Sequence, residues 1–289
     1  MKGIALHSIV PVRAEAREGA EQNTQILFGE TFDILEEQPR WLRVRLHLDG
    51  QEGWVDAKMA TPMSQAEFKT YRADYSSAAM VAMPMAYAVS ENNGQTIPLT
   101  AGTRLAKYCI TSPQESSTTV HRTLDRAELF TAQGREIKIG RFEVLGVRFR
   151  IDPSMVISKS LDLNEQNLLQ AVRFFLNIPY LWGGKNAMGM DCSGFTQVIM
   201  SLFGKPLKRN ASEQAEQGRK IADVSKVHAG DLLFFDHEDG KICHVGIAID
   251  SERVIHCSGR VKVEKLDSKG IFNAETGEYS HHLVSIRRV

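Results

Sequence analysis

The chain has 289 residues, 43% hydrophobic and 24% charged, an ordinary globular balance and a length that suits two or three domains better than one core. Its 35 basic and 35 acidic residues cancel, and no run of either sign builds the basic face that a nucleic acid would require. No apolar stretch approaches the roughly 20 residues that span a bilayer, so neither nucleic acid nor membrane is an expected partner. Residues 1–8 are followed at once by Arg13, Glu15, Arg17 and Glu18 and hold no continuous apolar core of a secretory signal, which makes the cytoplasm the expected compartment. In so long a chain the four cysteines Cys109, Cys192, Cys243 and Cys257 do not form a disulfide framework, and free thiols are expected.

The first 150 or so residues read as strands and turns. Leu27-Phe28-Gly29-Glu30 forms a turn into a short strand through Phe32, Ile34 and Leu35. Leu42, Val44, Leu46 and Leu48 then alternate with Arg43, Arg45 and His47, the period-two pattern of a half-buried strand, before the turn Asp49-Gly50 and the strand at Gly53-Trp54-Val55. Residues 96–105 repeat the apolar-turn-apolar rhythm of residues 25–35, and Ile137, Ile139, Phe142, Val144 and Leu145 supply further strand material. The expectation is two small all-β barrels in tandem, residues 1–75 and 76–155. Their boundary falls in residues 73–85, where residues 78–83 have no clear period.

From about residue 160 the pattern changes. Asn164 is placed to cap a helix that carries Leu168, Leu169, Val172, Phe175 and Leu176 on its apolar side and ends before Pro179. After Gly183-Gly184 a second helix starts near Cys192, with Phe195, Val198, Ile199 and Leu202 as its apolar set and Gly204 and Pro206 as its stop. Strands follow at 231–235, 242–249 and 254–257, with turns at 238–240 and 250–252. Helices followed by an antiparallel meander predict an α+β domain over residues 156–289.

Asp191-Cys192-Ser193-Gly194-Phe195 sets a cysteine at the start of that second helix. A thiol there faces unpaired backbone N–H groups and the positive end of the helix dipole, and both favour the thiolate. The same amides can hold a developing oxyanion. In the strand around His244, the imidazole shares a face with Gly246 and Ala248, while Cys243, Val245 and Ile247 point the other way. His256 lies on the next strand of a tight hairpin, so the two histidines are cross-strand neighbours. A cysteine, a base and an orienting polar group form the generalised nucleophilic triad. One cysteine and two histidines also suit zinc, but the paired Cys-x-x-Cys or His-x-x-x-His spacing is absent, and no metal or other cofactor is expected.

Residues 163–267 resemble the NlpC-type cell-wall peptidases, which have a papain-like fold. The matching stretches are Pro179-Tyr180-Leu181-Trp182-Gly183-Gly184, Asp191-Cys192-Ser193-Gly194-Phe195, residues 209–214, residues 229–235, His244-Val245-Gly246-Ile247 and Ile255-His256, in that order. The resemblance implies that Cys192 is the nucleophile, His244 the base and His256 the orienting residue. Tyr180, in the same motif as Trp182, would lie beside the nucleophile and help bind the scissile region.

Two bacterial SH3-like barrels before such a domain are similar to the γ-D-glutamyl-L-diamino-acid endopeptidases of murein peptide recycling. Those enzymes cut after L-Ala-γ-D-Glu and require a free N-terminal L-alanine, and their first barrel closes one end of the cleft. A buried ammonium needs a carboxylate partner, for which Asp191 and Glu30 are the candidates. Gln51 stands where the family often carries a tyrosine of the same pocket. Ser193 and the loop carrying Arg209, Asn210 and Ser212 are candidate binders of the D-Glu carboxylate.

The sequence therefore reads as a multi-domain cysteine endopeptidase, two small all-β SH3-like barrels followed by an α+β papain-like catalytic domain. It is expected to be a monomer acting on small murein peptides. An inactive wall-binding protein, or an amidase or acyl hydrolase on a non-murein substrate, are the alternatives.

Overall fold

Alternation along the chain builds the first unit. Leu42, Val44 and Leu46 turn inward against Val10, Val12, Ile26, Phe32 and Val55, while Arg43 and Arg45 stay in solvent. The structure, a computed structural model, describes residues 1–76, 78–112, 138–236, 240–274 and 276–289. Ile137 and the turn residues Glu238 and Asp239 lie outside that set. Strands Lys2–Ile4, Ile9–Arg13, Gln22–Leu27, Thr31–Glu37, Trp41–Leu46, Glu52–Asp56 and Thr61–Met63 join in one seven-stranded antiparallel sheet.

A helix, α1 (Gln65–Ser76), follows where only strands and turns were expected. Its start was written in the sequence as a capping box. The Ser64 hydroxyl accepts from the Glu67 amide at 3.2 Å, and the Glu67 carboxylate accepts from the Ser64 amide at 2.8 Å. One face of α1 buries Tyr71 and Tyr75, four residues apart, with ring centroids 5.5 Å apart.

The second β unit holds a five-stranded antiparallel sheet, in the order Thr96–Thr100, Met85–Ser90, Val147–Ile151, Ile139–Val144 and Cys109–Thr111. A three-stranded sheet joins Arg104–Leu105, Ala79–Val81 and Val156–Ile157. The last strand moves the expected catalytic boundary at 156 past Ile157, because its partner Ala79–Val81 belongs to this unit. Phe142 and Phe149 stack at 5.1 Å in its core, and Phe28 of the first unit packs edge-on against both. The two units therefore share buried surface instead of standing apart.

The third unit opens with α2 (Glu165–Val172), capped as expected by Asn164, whose side chain accepts from the Asn167 amide at 2.9 Å. The helix stops at Val172, shorter than its pattern suggested. Phe175 still reaches the core, but Leu176 faces solvent and Asn177 takes a left-handed conformation (φ 68). The long helix α3 (Cys192–Leu202) is buried along nearly its whole length. It packs on Leu232, Phe234, Val245, Ile247, Ile255 and Cys257, alternate residues of the strands Leu232–Asp236, His244–Ala248 and Arg253–Ser258. Leu233, Phe235, Ala248 and Val254 fill a second cluster on the opposite face. The final strand, Glu278–Arg288, pairs with both Leu232–Asp236 and Gly270–Asn273, closing this sheet on itself.

The first unit is bonded to the loop that precedes Cys192. Gln25 Oε1 accepts from the Lys185 amide at 2.9 Å and from Asn186 Nδ2 at 2.8 Å, and Gln22 Nε2 donates to the Trp182 carbonyl at 3.2 Å. Gly183 has φ +71, and any side chain there would overlap the Gln22 carbonyl, so only glycine allows this approach. Deeper in the seam, the Lys185 ammonium lies 3.2 and 3.3 Å from the two oxygens of Glu30. The side chains of both residues are buried.

A buried pair of this kind is strongly destabilising when halved, by roughly 3–5 kcal/mol, because one charge is left uncompensated. Glu30→Ala is therefore expected to lower unfolding stability by about that amount, and Glu30→Leu with Lys185→Met to recover most of it. Urea denaturation of the single and double variants measures both.

Candidate active site

Helix α3 begins with Asp191 as its cap, and the surroundings of that carboxylate define the site. Asp191 Oδ1 accepts from the Gly194 amide at 2.7 Å and from Arg209 Nη1 at 2.9 Å. Its Oδ2 accepts from the Gly183 amide at 2.8 Å and from Arg209 Nη2 at 2.6 Å. Arg209 is fully buried, and its Nε donates across the seam to Thr24 Oγ1 at 2.8 Å. Ser193 Oγ accepts from Arg209 Nη1 at 2.9 Å and donates to Asp191 Oδ1 at 3.3 Å.

This network gives these candidates partners within the protein. Asp191 has a bidentate guanidinium partner, Glu30 has Lys185, and Arg209 bonds Asp191, Ser193 and Thr24.

The remaining sequence candidates lie around the helix start. Tyr180 is half-buried, and its phenol is pushed up first by burial and then by the nearness of Cys192 and Asp191, which sets it beside the thiol. Trp182 is 59% exposed at the rim. Asn210 and Ser212 are exposed, at the cap and in the body of α4 (Ala211–Gln214). Asn210 Nδ2 lies 3.4 Å from Gln51 Oε1 of the first unit and 2.8 Å from Glu213 Oε2. Gln51 and Asn210 are thus brought together, whereas Glu30 is drawn away into the seam.

The Cys192 thiol is buried against the backbone amides of Ser193 and of Val245, the residue that follows His244. Burial pushes it up to about 12, and the Asp191 carboxylate adds to that. The two amides and the Arg209 guanidinium act in the opposite direction without reversing the shift. The helix start alone suggested a ready thiolate. In the folded protein desolvation outweighs the helix start, and the neutral thiol is favoured.

The imidazole of His244 has a defined tautomer. His244 Nε2 lies 2.8 Å from His256 Nδ1, and His256 Nε2 lies 2.8 Å from Glu264 Oε2. Burial raises the Glu264 carboxyl, but hydrogen bonds from His256 and Lys262 outweigh it, so the group titrates below the ordinary carboxylate range and is ionised at neutral pH. An ionised carboxylate only accepts, so His256 carries its proton on Nε2. Burial holds the His256 ring neutral, against Glu264. Its Nδ1 is then an acceptor, His244 donates from Nε2, and the lone pair of the neutral His244 ring lies on Nδ1. Gly246 stands opposite His256, and a side chain there would crowd Val254 and the His256 Cβ.

Glu264 is absent from the sequence-level candidates, although a signal existed. The hairpin turning at Gly259 pairs His256 with Lys262 and Val254 with Glu264, which brings the carboxylate to the flank of the imidazole. Lys185 carried no such signal, since nothing in a glycine-flanked loop marks its ammonium for burial. The other thiols, Cys109, Cys243 and Cys257, form no disulfide, as expected, and Cys257 donates to the Met190 carbonyl at 3.1 Å.

Residues 177–281 match the NlpC/P60 family, and residues 12–58 match the bacterial dipeptidyl-peptidase Sh3 domain. The chain carries an NlpC/P60 cysteine peptidase domain. It is 29% identical over 242 residues to the γ-D-glutamyl-L-lysine dipeptidyl-peptidase of Bacillus subtilis strain 168, covering 81% of this chain and 71% of that one. Identity to the protein of the same name from Bacillus cereus ATCC 10987 is 26% over 245 residues, covering 81% of this chain and 66% of the relative. The crystal structure of an NlpC/P60 family protein from Bacillus cereus ATCC 10987 superposes with a TM-score of 0.75 over 100% of this chain and 99% of that one. At 19% identity, that last likeness concerns the fold alone. The domain that follows the Sh3 match is thus a peptidase, with an SH3-like unit before it.

The buried His256 gives the peptidase a pH signature. Its folded pKa lies below the ordinary histidine value of about 6.5, so the unfolded chain takes up the proton first as pH falls. Its contribution to stability is full above about pH 6.5 and is lost as pH falls from there through the folded pKa. The urea midpoint is expected to drop between pH 7.5 and 5.5, and to drop less in His256→Gln. Equal slopes in both proteins would contradict the neutral, buried assignment.

Proposed function

We propose that this peptidase hydrolyses the γ-D-glutamyl bond of small murein peptides that begin with L-Ala, with Cys192 as nucleophile, His244 as base and His256 as its orienting group. The observation that carries the reading is the aligned series of His244, His256 and Glu264, together with the amide of Val245, the residue after His244, set against the buried Cys192 thiol. An inactive wall-binding relic has no need of that series, which is why the binding-module alternative is not favoured.

In this reading His244 Nδ1 takes the Cys192 proton as the sulfur attacks the γ-glutamyl carbonyl. Backbone amides at the start of α3 face the developing oxyanion. The imidazolium, steadied through His256 by Glu264, gives its proton to the departing amine of the diamino acid. Water then enters, His244 takes one of its protons, and the thioester breaks to release L-Ala-D-Glu and restore the thiol.

The names of the two Bacillus relatives support the γ-glutamyl bond, with lysine as the diamino acid in theirs. With Asp191 and Glu30 both occupied, the substrate ammonium falls to the rim where Gln51 meets Asn210, and the exposed carboxylate there is Glu213. We read the second β unit as another SH3-like barrel, and the protein as a monomer working in the cytoplasm on freed peptides, a placement that cell fractionation tests.

Mass spectrometry of products from L-Ala-γ-D-Glu-L-Lys and from its meso-diaminopimelate counterpart is expected to find L-Ala-D-Glu. Cleavage should fall about a thousandfold or more in Cys192→Ala. An N-acetylated peptide should resist. Equal cleavage of the acetylated form would remove the free-amine requirement, and unchanged turnover in Cys192→Ala would remove the mechanism.

A further inference from the structure

His281 lies on the closing strand Glu278–Arg288, opposite Ile271, and is almost fully buried at 9% exposure. Its ring stacks on that of His244, with centroids 4.2 Å apart and planes inclined by 28°. Phe235 stands against both rings, 6.0 Å from His244 and 6.2 Å from His281. His256 instead meets His244 nearly at right angles, at 85°, through the Nε2 to Nδ1 hydrogen bond. His281 Nδ1 lies 2.9 Å from Ser280 Oγ, on its own strand.

These contacts constrain different degrees of freedom. The bond from His256 fixes where His244 Nε2 points, and a bond along one line does not itself set the plane of the ring. A flat ring against its face fixes the plane. Together they determine where Nδ1 points, and that atom must first take the thiol proton and later hand it to the leaving amine. Small misplacement of a proton-transfer group is costly: about 1 Å can lose a hundredfold in rate.

We propose that His281 is a positioning residue for His244, setting the plane of the base through its stacked face. The inference rests on the assignment of Cys192 and His244 as nucleophile and base. The property at work is the flat ring, not its nitrogens, and this separates the proposal from a merely titratable neighbour. It also separates it from simple filling of the sheet, which any side chain of similar volume would supply.

The test uses His281→Ala, His281→Phe and His281→Leu, with His244→Ala as reference. With L-Ala-γ-D-Glu-L-Lys as substrate, His281→Ala and His281→Leu should lose kcat by about tenfold with KM within about twofold, and His281→Phe should stay within about threefold of the parent. A second readout needs no peptide: the rate at which iodoacetamide alkylates Cys192, followed by peptide mass spectrometry to separate it from the exposed Cys109 and Cys243. The same ranking is expected there, with His244→Ala slowest, while thermal midpoints show that each variant is folded.

If His281→Ala or His281→Leu reacts at the parental rate, or His281→Phe is as slow as His281→Ala, the positioning role is overturned while the Cys192 and His244 assignment stands. If His244→Ala alkylates as fast as the parent, that assignment fails and carries the inference down with it. Failure of the peptide alone to be cut, with the alkylation ranking intact, removes the substrate and leaves His281 in its role.

Discussion

The site depends first on the ion pair between Asp191 and Arg209. A single carboxylate caps the nucleophile helix through Gly194, ties down the preceding loop through Gly183 and receives both terminal nitrogens of the guanidinium. Buried charges cost several kcal/mol each unless geometry and hydrogen bonds satisfy them, and here the bonds leave little unsatisfied. The arrangement carries a chemical cost for the sulfur. The same negative charge that orders the helix start opposes ionisation of the adjacent thiol, and Arg209 offsets only part of that. Burial and this charge together favour the neutral thiol, so the mechanism proposed above asks for a thiolate made at the moment of attack and rests on the orientation of His244.

Arg209 also explains why the first β unit belongs to the site and is more than an appendage. Its guanidinium ends on Thr24 of that unit, and Gln25, Glu30 and Gln22 bond the segment from Trp182 to Asn186. Asp49 adds a bond to Gln197 on α3 at 2.9 Å, and its carbonyl accepts from Lys208 Nζ at 2.8 Å. Most of these are buried polar contacts, and such contacts are specific because any shift leaves a donor or acceptor without a partner. Movement of the unit relative to the peptidase domain would break several at once. The rim where Gln51 meets Asn210 is thereby held in one arrangement.

What the sequence disclosed, and what it withheld, follow from the range of the forces concerned. The helix at Cys192, the cap at Asn164 and the strands around His244 and His256 are local, set by capping groups and by apolar periods of 3.6 and 2, and they were legible. The helix α1 was equally local, and its Ser64–Glu67 box was there to be read. It was obscured by the irregular residues that follow it. The fates of Glu30, Asp191 and Arg209 were not local. Glu30 and Lys185 are 155 positions apart, and Arg209 and Thr24 are 185 apart, so no pattern along the chain could reveal that these charges were already matched. Residue type and motif position indicated that these side chains mattered. Only the packed interface showed that they hold the protein together.

The series from His244 to Glu264 raises a last question of charge. When His244 becomes an imidazolium, a positive charge appears in a place where burial has kept His256 neutral. The compensating carboxylate, Glu264, is one imidazole removed and is itself shared with Lys262 at 3.0 Å. Interposing a neutral ring keeps the direction of the hydrogen bonds, since the His256 dipole is aligned by Glu264 and points its lone pair at His244. In the mechanism proposed above, such a preorganised dipole is what would stabilise the transient cation.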